Sequence, residues 1–259
     1  MHIDAFGATH NGNIRSHNED NIYVEGSFRN DLKADNVAIT GGKDGRPRTY
    51  AVLDGLGGEE SGEKASFIGA LGLKRYDDDG RISDVEGYVD LINRSVIKEA
   101  AKNDIGAMGT TFVMVHIDEY RATIANVGDS RAYILRDESL KQISRDHSVV
   151  QSLIDNGFLK ESERRSSPYI GELTQYLGMT SEDDIEPEAD VVTMSVLPGD
   201  VFLLCSDGLT GELTDKEISD IMLEYEEKEA KFIALMLIKE ALKKAGSDNV
   251  SAVVCKIVE

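Results

Sequence analysis

The chain has 259 residues, of which 41% are hydrophobic, so it can bury a sizeable core and is not a disordered chain. Its net charge of −20 argues against nucleic acid and anionic membranes as partners, because both are bound through clustered Lys and Arg. The sequence contains no apolar run of the roughly 20 residues that a membrane-spanning helix needs, and its N-terminal residues do not resemble a secretory signal.

The first predicted elements lie between residues 50 and 117. The apolar run Tyr50–Leu53 predicts a buried strand. Glu59–Arg75 follows as a helix that three glycines weaken, and Ile82–Ala101 carries its apolar residues on one helical stripe. The β-branched run Thr111–Ile117 predicts the next strand.

Two strands, a helix and a long loop are predicted in the middle of the chain. Ala122–Val127 and Arg131–Leu135 are separated by the tight turn Gly-Asp-Ser, which predicts a hairpin. Ser148 and Gln151 form the signature of a helix start, and apolar residues follow at helical spacing. The polar stretch 156–178 fits neither period. We therefore predict a surface loop with short helical pieces, of a length that is uncommon unless it serves function.

The last part of the chain predicts two strands and two helices. The strands are Asp200–Cys205 and Asn249–Val258, and each holds one of the two cysteines in an apolar run. Thr214 and Glu217 form a capping box that starts one helix, and Glu227–Ala245 is the other. We expect two reduced, buried thiols and a cytoplasmic protein. Hairpins followed by helical pairs indicate an α+β layered domain rather than a parallel sheet.

Acidic residues lie where the predicted strands begin or end. The five segments carry Asp54, Asp207, Asp129, Asp248 and the pair Glu19–Asp20. One Asp beside Gly is usually a turn residue, but strands of a sandwich begin and end at common rims, so five such sites can converge. Converging carboxylates repel one another unless cations lie between them. Oxygen ligands favour Mg²⁺ or Mn²⁺ over Zn²⁺, and two such ions about 4 Å apart can clamp a phosphoryl group for in-line attack.

The loop after Asp54, with the sequence DGLGGEESGEKAS, is rich in glycine. Gly55 lets the backbone come close enough for its carbonyl to face a metal, and the glycines up to Gly58 open the turn into the next helix. The segment is not a P-loop, which needs Gly-Lys-Ser/Thr. It is not a dinucleotide fingerprint either, because Glu60 stands where that motif requires glycine.

Arg15 lies four residues before Glu19 in the stretch RSHNED. A lone arginine is usually a surface charge. Beside a rim of carboxylates and metal ions, its guanidinium would instead clamp a substrate phosphate through two parallel hydrogen bonds.

These segments resemble, in order, the motifs of the metal-dependent Ser/Thr protein phosphatases, the PPM family (protein phosphatase 2C-like), in its short bacterial form. The matching segments are GNIRSHNEDNIYV, AVLDGLGGEESGEKAS, GAMGTTFVMVHI, ATIANVGDSRAYILRDESLKQISRDHSVVQSLIDNG, GDVFLLCSDGLTGELTDKEI and GSDNVSAVV. The resemblance implies a four-layer αββα sandwich of two antiparallel sheets flanked by helices. It also implies a single domain over residues 1–259, with a flap subdomain at about 156–178.

The resemblance gives each candidate residue a role at a site for two Mn²⁺ or Mg²⁺ ions. Asp54 would bridge both ions, the Gly55 carbonyl would bind one, Asp207 and Asp248 would bind the other, Glu19 and Asp20 would hold metal-bound waters, Asp129 would join Asp207 at a third, weaker ion, and Arg15 would bind the substrate phosphate. The implied reaction is hydrolysis of phosphoserine and phosphothreonine in proteins, by direct attack of a metal-bridging water. The implied partners are phosphorylated targets of a Ser/Thr kinase or, second, an anti-sigma-type regulator.

Leu56 departs from the family pattern. Many members carry His directly after the bridging Asp-Gly, as a candidate acid for the leaving group. Leucine cannot donate a proton, so a metal-bound water is the expected donor, and we interpret His147 as structural.

Two other functions stay open. A catalytically dead binding module would be signalled by loss of a metal carboxylate, and a metal-dependent phosphodiesterase or nuclease is disfavoured by the acidic charge.

Overall fold

The structure, a computed structural model, describes residues 1–42, 48–57, 61–105, 108–118, 120–180 and 186–258. Within these ranges the strands are β1 (Ile3–His10), β2 (Asn21–Val24), β3 (Ser27–Phe28), β4 (Val37–Thr40), β5 (Thr49–Leu53), β6 (Gly55–Gly57), β7 (Met108–Thr110), β8 (Phe112–Ile117), β9 (Arg121–Val127), β10 (Arg131–Arg136), β11 (Ser139–Gln142), β12 (Asp190–Ser195), β13 (Val201–Cys205) and β14 (Val250–Ile257). The α-helices are α1 (Gly62–Asp78), α2 (Val85–Lys102), α3 (Val149–Asp155), α4 (Asp207–Thr210), α5 (Asp215–Glu224) and α6 (Ala230–Lys243).

The strands form two six-stranded antiparallel sheets. Sheet A has the spatial order β11-β10-β13-β14-β1-β4, and sheet B has the order β12-β9-β8-β5-β2-β3. A small pair, β6 with β7, lies apart from both sheets and aligns Gly55 with Thr110. Most neighbouring strands are distant in sequence, and in sheet A the pairing of β14 with β1 joins segments from both ends of the chain.

Three apolar clusters join the layers. Between the sheets, side chains such as Val52 and Phe202 are fully buried. On the outer face of sheet A, α5 and α6 pack through residues such as Leu237, and on the outer face of sheet B, α1 and α2 pack through residues such as Ile92. The arrangement is the αββα sandwich that the sequence predicts.

Strand β13 explains why the central strands appear as unbroken apolar runs in the sequence. Successive side chains of a strand point to opposite faces of the sheet. Leu203 and Cys205 face the helices over sheet A, whereas Phe202 and Leu204 face sheet B. Because both faces are covered, every position of the strand is apolar.

The predicted hairpin of Ala122–Val127 and Arg131–Leu135 is wrong. Strand β9 pairs with β8 and β12 in sheet B, whereas β10 pairs with β11 and β13 in sheet A. The loop Gly128-Asp129-Ser130 therefore carries the chain from one sheet to the other. The apolar pattern identifies both strands but does not identify their partners, and a short loop can cross between layers as well as reverse within one.

The predicted helices are confirmed with shifted ends. Helix α1 begins at Gly62, and Gly58, Glu59 and Glu60, which the sequence analysis placed in the turn and helix start, lie outside the described residues. The hydroxyl of Ser148 accepts from the backbone N–H of Gln151, and the α5 capping box is complete. Residues 156–178 form a connection with one 3₁₀ helix at Glu161–Ser166. None of the described helices is long and apolar enough to cross a membrane.

Candidate active site

The five acidic segments lie at the ends of strands from both sheets. Asp54 follows β5, Asp129 follows β9, Asp207 begins α4 after β13, Asp248 precedes β14 and Glu19–Asp20 precedes β2. Two contacts join segments that are far apart in sequence. The backbone N–H of Glu19 donates to Asn249 Oδ1 over 2.8 Å, and the Arg15 guanidinium donates to Asp248 Oδ2 over 2.8 Å.

A hydrogen bond joins the carboxyl groups of Asp54 and Asp207, and it limits the rise in the pKa of Asp207. Burial and the charges of nearby acids, first Asp20, raise the pKa of Asp54 well above its usual value. Burial and Asp248 raise the pKa of Asp207, and burial and Asp207 likewise raise the pKa of Asp129. These carboxylates repel one another strongly when all are ionised. The structure therefore brings the predicted acidic residues together as one electrostatically coupled cluster.

The backbone of Asp54 is fixed by two threonines from the segment that connects β7 to β8. The N–H of Asp54 donates to Thr111 Oγ1 over 3.0 Å, and its carbonyl accepts from Thr111 N over 2.8 Å and from Thr110 Oγ1 over 3.0 Å. Thr111 Oγ1 lies 2.7 Å from the hydroxyl of Ser130, which directly follows Asp129. The same threonine thus ties together the loops that carry Asp54 and Asp129.

Gly55 occupies a position without space for a side chain. A Cβ atom there would lie 2.2 Å from the Gly62 carbonyl oxygen and 2.6 Å from that of Glu19. The backbone of Asp54–Gly55 can therefore lie directly against the first turn of α1 and the segment before β2. This is the close backbone approach that the sequence predicts at Gly55.

Glu19 lies at the N-terminus of α1 and is half-buried. Its carboxylate accepts from the backbone N–H of Gly62, while burial and the neighbouring Glu63 raise its pKa. Its own carbonyl accepts from Ser66 Oγ over 2.6 Å. The Oε2 atom of Glu63 is buried, and no described residue forms a hydrogen bond with it. Two carboxylates are therefore held side by side at the positive end of a helix.

Asp20 is fully buried, and its two carboxylate oxygens have different surroundings. The Oδ2 atom accepts from Ser206 Oγ over 2.8 Å and from Ser251 Oγ over 2.5 Å. The Oδ1 atom has no hydrogen-bond partner among the described residues. Burial raises the pKa of Asp20 to about 7 although the two hydroxyl groups lower it. A buried oxygen without a partner is costly, so this atom is a candidate to face a cation or a water held by one.

Arg15 lies at the solvent side of the cluster. About half of its side chain is exposed, and the Asp248 side chain is 36% exposed. The charge of Asp248 raises the pKa of the guanidinium, which therefore stays protonated at all physiological pH values. A permanent cation beside the carboxylates can meet a phosphate that enters from solvent.

A cavity of about 450 Å³ opens beside Asp129 and Asp207. Its opposite wall is the 3₁₀ helix, with Arg164 and Arg165, and the turn at Ile170. The Arg165 guanidinium donates to the carbonyl of Thr210, at the end of α4, over 2.8 Å. The connection 156–178 thus lies over one side of the acidic cluster and is fixed to the helix that Asp207 begins.

His147 and Leu56 lie near the cluster without joining it. His147 is buried, its backbone N–H donates to the Gly128 carbonyl over 2.8 Å, and its Nε2 lies 3.3 Å from Asp190 Oδ2. These contacts hold the loop before Asp129, in agreement with a structural role. Leu56 is half-buried on β6, opposite Gly109 of β7.

Comparison with known proteins identifies the family. The sequence model of the protein phosphatase 2C family matches residues 4–153, more than half of the chain. The chain belongs to the protein phosphatase 2C family. The family and the fold predicted from the sequence are therefore confirmed.

Two curated relatives and one solved structure show the extent of the similarity. The chain is 31% identical over 253 residues to the serine/threonine protein phosphatase PstP of Mycobacterium tuberculosis, covering 96% of this chain but 44% of that protein. It is 31% identical over 255 residues to the serine/threonine phosphatase stp of Listeria welshimeri, covering 94% of this chain and 91% of the relative. The chain thus spans less than half the length of the mycobacterial protein.

The solved structure is that of the catalytic domain of the serine threonine protein phosphatase PstP in complex with two manganese ions. It is similar to this chain with a TM-score of 0.79 at 28% identity, over 99% of this chain and all of that one. The two molecules therefore share the layered sandwich over nearly their whole length.

The acidic cluster of this protein phosphatase 2C family member has the donor chemistry of a divalent-cation site. Its candidate ligands are oxygen atoms, which suit Mn²⁺ and Mg²⁺. Within the described residues, no three His, Cys, Asp or Glu side chains are grouped tightly enough to enclose an ion by themselves. The unpartnered Oδ1 of Asp20 and the mutual repulsion of Asp54 and Asp207 are both relieved by cations. On these two observations the residues fit the metal-dependent chemistry of the family.

Sequence reasoning overlooked several residues that build the site. Thr110 and Thr111 stand in the segment GAMGTTF, and Glu63 stands in GEKAS. Both segments carry the resemblance, so a signal was present. Arg29 had no such signal. It is fully buried and donates to the carbonyl of Asp20 over 3.0 Å, while its other donors bind the carbonyls of Leu32 and Ala34. It lies in a polar stretch that resembles an ordinary loop.

Proposed function

We propose that this protein is a metal-dependent protein serine/threonine phosphatase. One observation carries the proposal: carboxylates from five separate strand ends form one coupled cluster with a permanent cation, Arg15, at its solvent edge. A cluster of this kind can hold two divalent cations inside and a phosphate monoester outside. The named activity of the relatives supports the same function.

The proposed roles of the residues follow their positions. We assign Asp54 to both cations, the Gly55 carbonyl to one, Asp207 and Asp248 to the other, Glu19 and Asp20 to waters at the cations, Asp129 with Asp207 to a third ion, and Arg15 to the substrate phosphate. The central, fixed position of Asp54 supports its bridging role, because a bridging ligand must not move between two ions. The exposed position of Arg15 supports its role toward substrate.

The reaction divides between the cations and the protein. When bound, a pair of divalent cations activates water and neutralises the charge of the phosphoryl oxygens. Arg15 binds the phosphate and orients the phosphorus for in-line attack. Asp54 and Asp207 would hold the cations in their deprotonated form. The free oxygen of the buried Asp20 would accept hydrogen bonds from waters at the cations. Because Leu56 cannot donate a proton, a water held at the cations would supply the proton for the leaving alkoxide.

Several finer features belong to this proposal. We propose that residues 1–259 act as one domain and that 156–178 is the flap, which the cavity between this segment and Asp207 supports. The all-oxygen cluster supports either Mn²⁺ or Mg²⁺. The substrates would be phosphorylated targets of a Ser/Thr kinase, in a cytoplasmic signalling role. The two buried, unpaired thiols of Cys205 and Cys255 agree with a reducing compartment.

The two other functions considered for the sequence are less well supported. A phosphodiesterase or nuclease needs a basic track for its strand, whereas the net charge here is −20. A catalytically dead binding module would lack a metal carboxylate, whereas Asp54, Asp207 and Asp248 are all in place.

The three functions are separated by substrate choice. The protein with Mn²⁺ is assayed on p-nitrophenyl phosphate, a phosphothreonine peptide and a bis-aryl phosphodiester. We expect hydrolysis of both monoesters and little hydrolysis of the diester. Asp54→Asn should lower kcat by at least about 100-fold and weaken Mn²⁺ binding, because one negative charge between two cations is lost.

The matched control is Asp78→Asn. Asp78 is an exposed carboxylate whose partner is Lys74 on the same helix, so its loss should leave kcat and Mn²⁺ affinity unchanged. Preference for the diester would favour the phosphodiesterase. No turnover of any substrate by a folded protein that binds Mn²⁺ would favour the binding module.

A further inference from the structure

Behind the acidic cluster lies a chain of buried hydroxyl groups that ends on Asp20. Ser251 Oγ lies 2.5 Å from Asp20 Oδ2 and 2.8 Å from Thr9 Oγ1. Ser206 Oγ lies 2.8 Å from the same Asp20 oxygen. Asn18 Nδ2 lies 2.7 Å from Thr9 Oγ1, and Asn18 Oδ1 accepts from the backbone N–H of Asp20 over 3.0 Å. All five residues are buried.

The chemistry of these groups allows one ordering of the protons when Asp20 is ionised. A carboxylate only accepts, so Ser206 and Ser251 both donate to Asp20. The single hydroxyl proton of Ser251 is already used in its hydrogen bond to Asp20, so Thr9 must donate to Ser251. The amide N–H of Asn18 then donates to Thr9. The backbone N–H of Ser251 donates to Ser206 over 3.0 Å and leaves the Ser206 proton free for Asp20.

This ordering fixes one oxygen of Asp20 and leaves the other free. Its Oδ2 atom accepts hydrogen bonds from two hydroxyl groups, one at the end of β13 and one on β14, whereas Oδ1 has no partner in the part of the chain that the structure describes. The charges that act on this carboxylate belong to Asp207 and Asp248, two members of the cluster. The hydroxyl chain therefore determines which oxygen of Asp20 is available to the cluster.

We propose that Thr9 and Ser251 are positioning residues that hold the free oxygen of Asp20 toward the cations. Thr9 reaches the Asp20 carboxylate through Ser251, whereas its contact with Asn18 leads to the Asp20 backbone. The proposal rests on the proposed function, because it assigns the free oxygen to the hydration of bound cations. Replacing a residue that orients a metal ligand in this way typically lowers metal affinity or activity by about 10- to 100-fold.

The test uses the whole protein and measures Mn²⁺ binding by titration calorimetry, kcat and KM on a phosphothreonine peptide, and the melting temperature without metal. Thr9→Val keeps the shape of the side chain and removes its hydroxyl. We expect it to weaken Mn²⁺ binding and to lower kcat by about 10-fold each, with KM unchanged. Ser251→Ala removes the direct donor and should have a larger effect. Thr9→Ser keeps the hydroxyl and should behave as wild type.

The matched control is Thr49→Val. Thr49 is also fully buried, and its hydroxyl also makes two contacts, to Asp77 over 2.7 Å and to His116 over 2.9 Å. It begins the strand that Asp54 follows, so it lies at the other end of that strand from the cluster. Thr49→Val should lower the melting temperature as Thr9→Val does, while Mn²⁺ affinity and kcat stay at the wild-type level.

A double variant tests whether Thr9 acts through Ser251. If it does, adding Thr9→Val to Ser251→Ala changes Mn²⁺ affinity no further, whereas independent effects would add. Additive effects, or Thr9→Val matching Thr49→Val in Mn²⁺ affinity and kcat, would overturn the positioning role while the proposed function stands. If Thr9→Val does not fold, Ser251→Ala with normal Mn²⁺ affinity overturns it as well. Wild-type protein that binds no Mn²⁺ would overturn the proposed function and this inference together.

Discussion

Arg15 shows how one side chain can serve both the cluster and its substrate. The guanidinium donates to Asp248 over 2.8 Å, yet about half of the side chain is open to solvent. An exposed ion pair contributes little to stability, so this contact is readily exchanged for another anion. A phosphate that arrives at the cluster offers the guanidinium a stronger, bidentate partner.

Arg15→Ala should therefore act on substrate binding. We expect KM for a phosphothreonine peptide to rise roughly 30-fold, which corresponds to about 2 kcal/mol for a lost charge-assisted hydrogen bond. Mn²⁺ affinity should stay equal or rise slightly, because a cation that competes for Asp248 has been removed. Arg15→Lys keeps the positive charge but lacks the planar, bidentate donor geometry of the guanidinium. It should therefore recover part of the lost substrate affinity. Unchanged KM with a collapse of Mn²⁺ affinity would place Arg15 among the structural supports of the metal site.

Leu56 provides a second test at the level of single residues. It is half-buried beside Gly109, and it offers no proton for a leaving group. Leu56→Ala should leave kcat/KM almost unchanged on both alkyl and aryl phosphates. Leu56→His should raise kcat/KM for phosphothreonine peptides by less than the roughly 100-fold of a well-placed acid, and should not affect p-nitrophenyl phosphate, whose leaving group needs no proton. A large loss in Leu56→Ala on both substrates would mean that Leu56 shapes the site by packing.

The acidic residues could be predicted individually, and most of their supports could not. Asp54 and Asp207 each end an apolar run directly before glycine, so sequence alone locates them at strand ends. The partners of Asp20 are different. Ser206 and Ser251 are ordinary polar residues, separated from it by 186 and 231 positions. Only the pairing of β13 with β14 brings their hydroxyl groups together, and the sequence does not show that pairing.

At the level of elements, the loop before β2 is positioned by the end of α6. The side-chain amide of Asn13 donates to the carbonyls of Leu242 and Ala245, and its backbone N–H donates to the Gly246 carbonyl. The loop that carries Arg15 thus binds the C-terminus of a helix whose next loop carries Asp248. Helix ends offer unpaired carbonyls, and here they fix the position of Arg15.

Gly12 permits this contact, and its replacement tests it. Its φ is +80°, and a Cβ atom would lie 2.2 Å from the Asp248 carbonyl oxygen. Gly80 has a φ of +67°, and no atom of the described residues lies within 4 Å of its Cβ position, so it is the matched control. Gly80→Ala should cost about 1 kcal/mol of unfolding free energy through backbone strain alone, without an effect on activity. Gly12→Ala should cost more, weaken Mn²⁺ binding and raise KM.

The measurements are denaturant unfolding and Mn²⁺ titration of both variants. Equal losses of stability, with unchanged Mn²⁺ binding in both, would mean that the loop of Asp248 moves aside at no cost. The close approach of the two loops would then be unimportant for the site.

The strand pairings mark the limit of prediction for the elements. Local patterns located β9 and β10 correctly, since each is an apolar, β-branched run. The choice between a hairpin and a crossing from one sheet to the other depends on which distant strands compete for each edge. Here β8 and β12 flank β9, while β11 and β13 flank β10, and the loop between them delivers Asp129 to the cluster. A prediction from residues that are neighbours in sequence cannot include this competition between distant strands.

For the whole molecule, the acidic cluster opposes folding at neutral pH. The pKa values of Asp20, Asp54, Asp129 and Asp207 are all raised by burial and by one another. In the unfolded chain the pKa of an Asp side chain is about 3.9. Above that pH the folded protein therefore binds more protons than the unfolded chain does. The contribution of each group to stability is fully present below the unfolded pKa and is lost as pH rises through the folded pKa, which is about 7 for Asp20.

The stability of the protein should therefore depend on pH and Mn²⁺ together. Without metal, the melting temperature of wild type should fall relative to that of Asp54→Asn as pH rises above the ordinary Asp pKa of about 3.9, because the variant has one fewer carboxylate to deprotonate. The two proteins share the partly buried His10 and His116, whose lowered pKa values act in the opposite direction and cancel in the comparison. Mn²⁺ binds the deprotonated carboxylates, so it should raise the melting temperature of wild type most at the higher pH.

The control for this comparison is Asp78→Asn, which removes a carboxylate of the same charge from an exposed helix surface. It lowers the overall acidity as Asp54→Asn does, so it should retain the full wild-type dependence on pH if the cluster is the cause. Parallel melting curves of all three proteins against pH, with equal gains from Mn²⁺, would show that general surface repulsion determines the stability. If only Asp54→Asn differs from wild type in how its melting temperature depends on pH, the carboxylates of the acidic cluster cause that dependence.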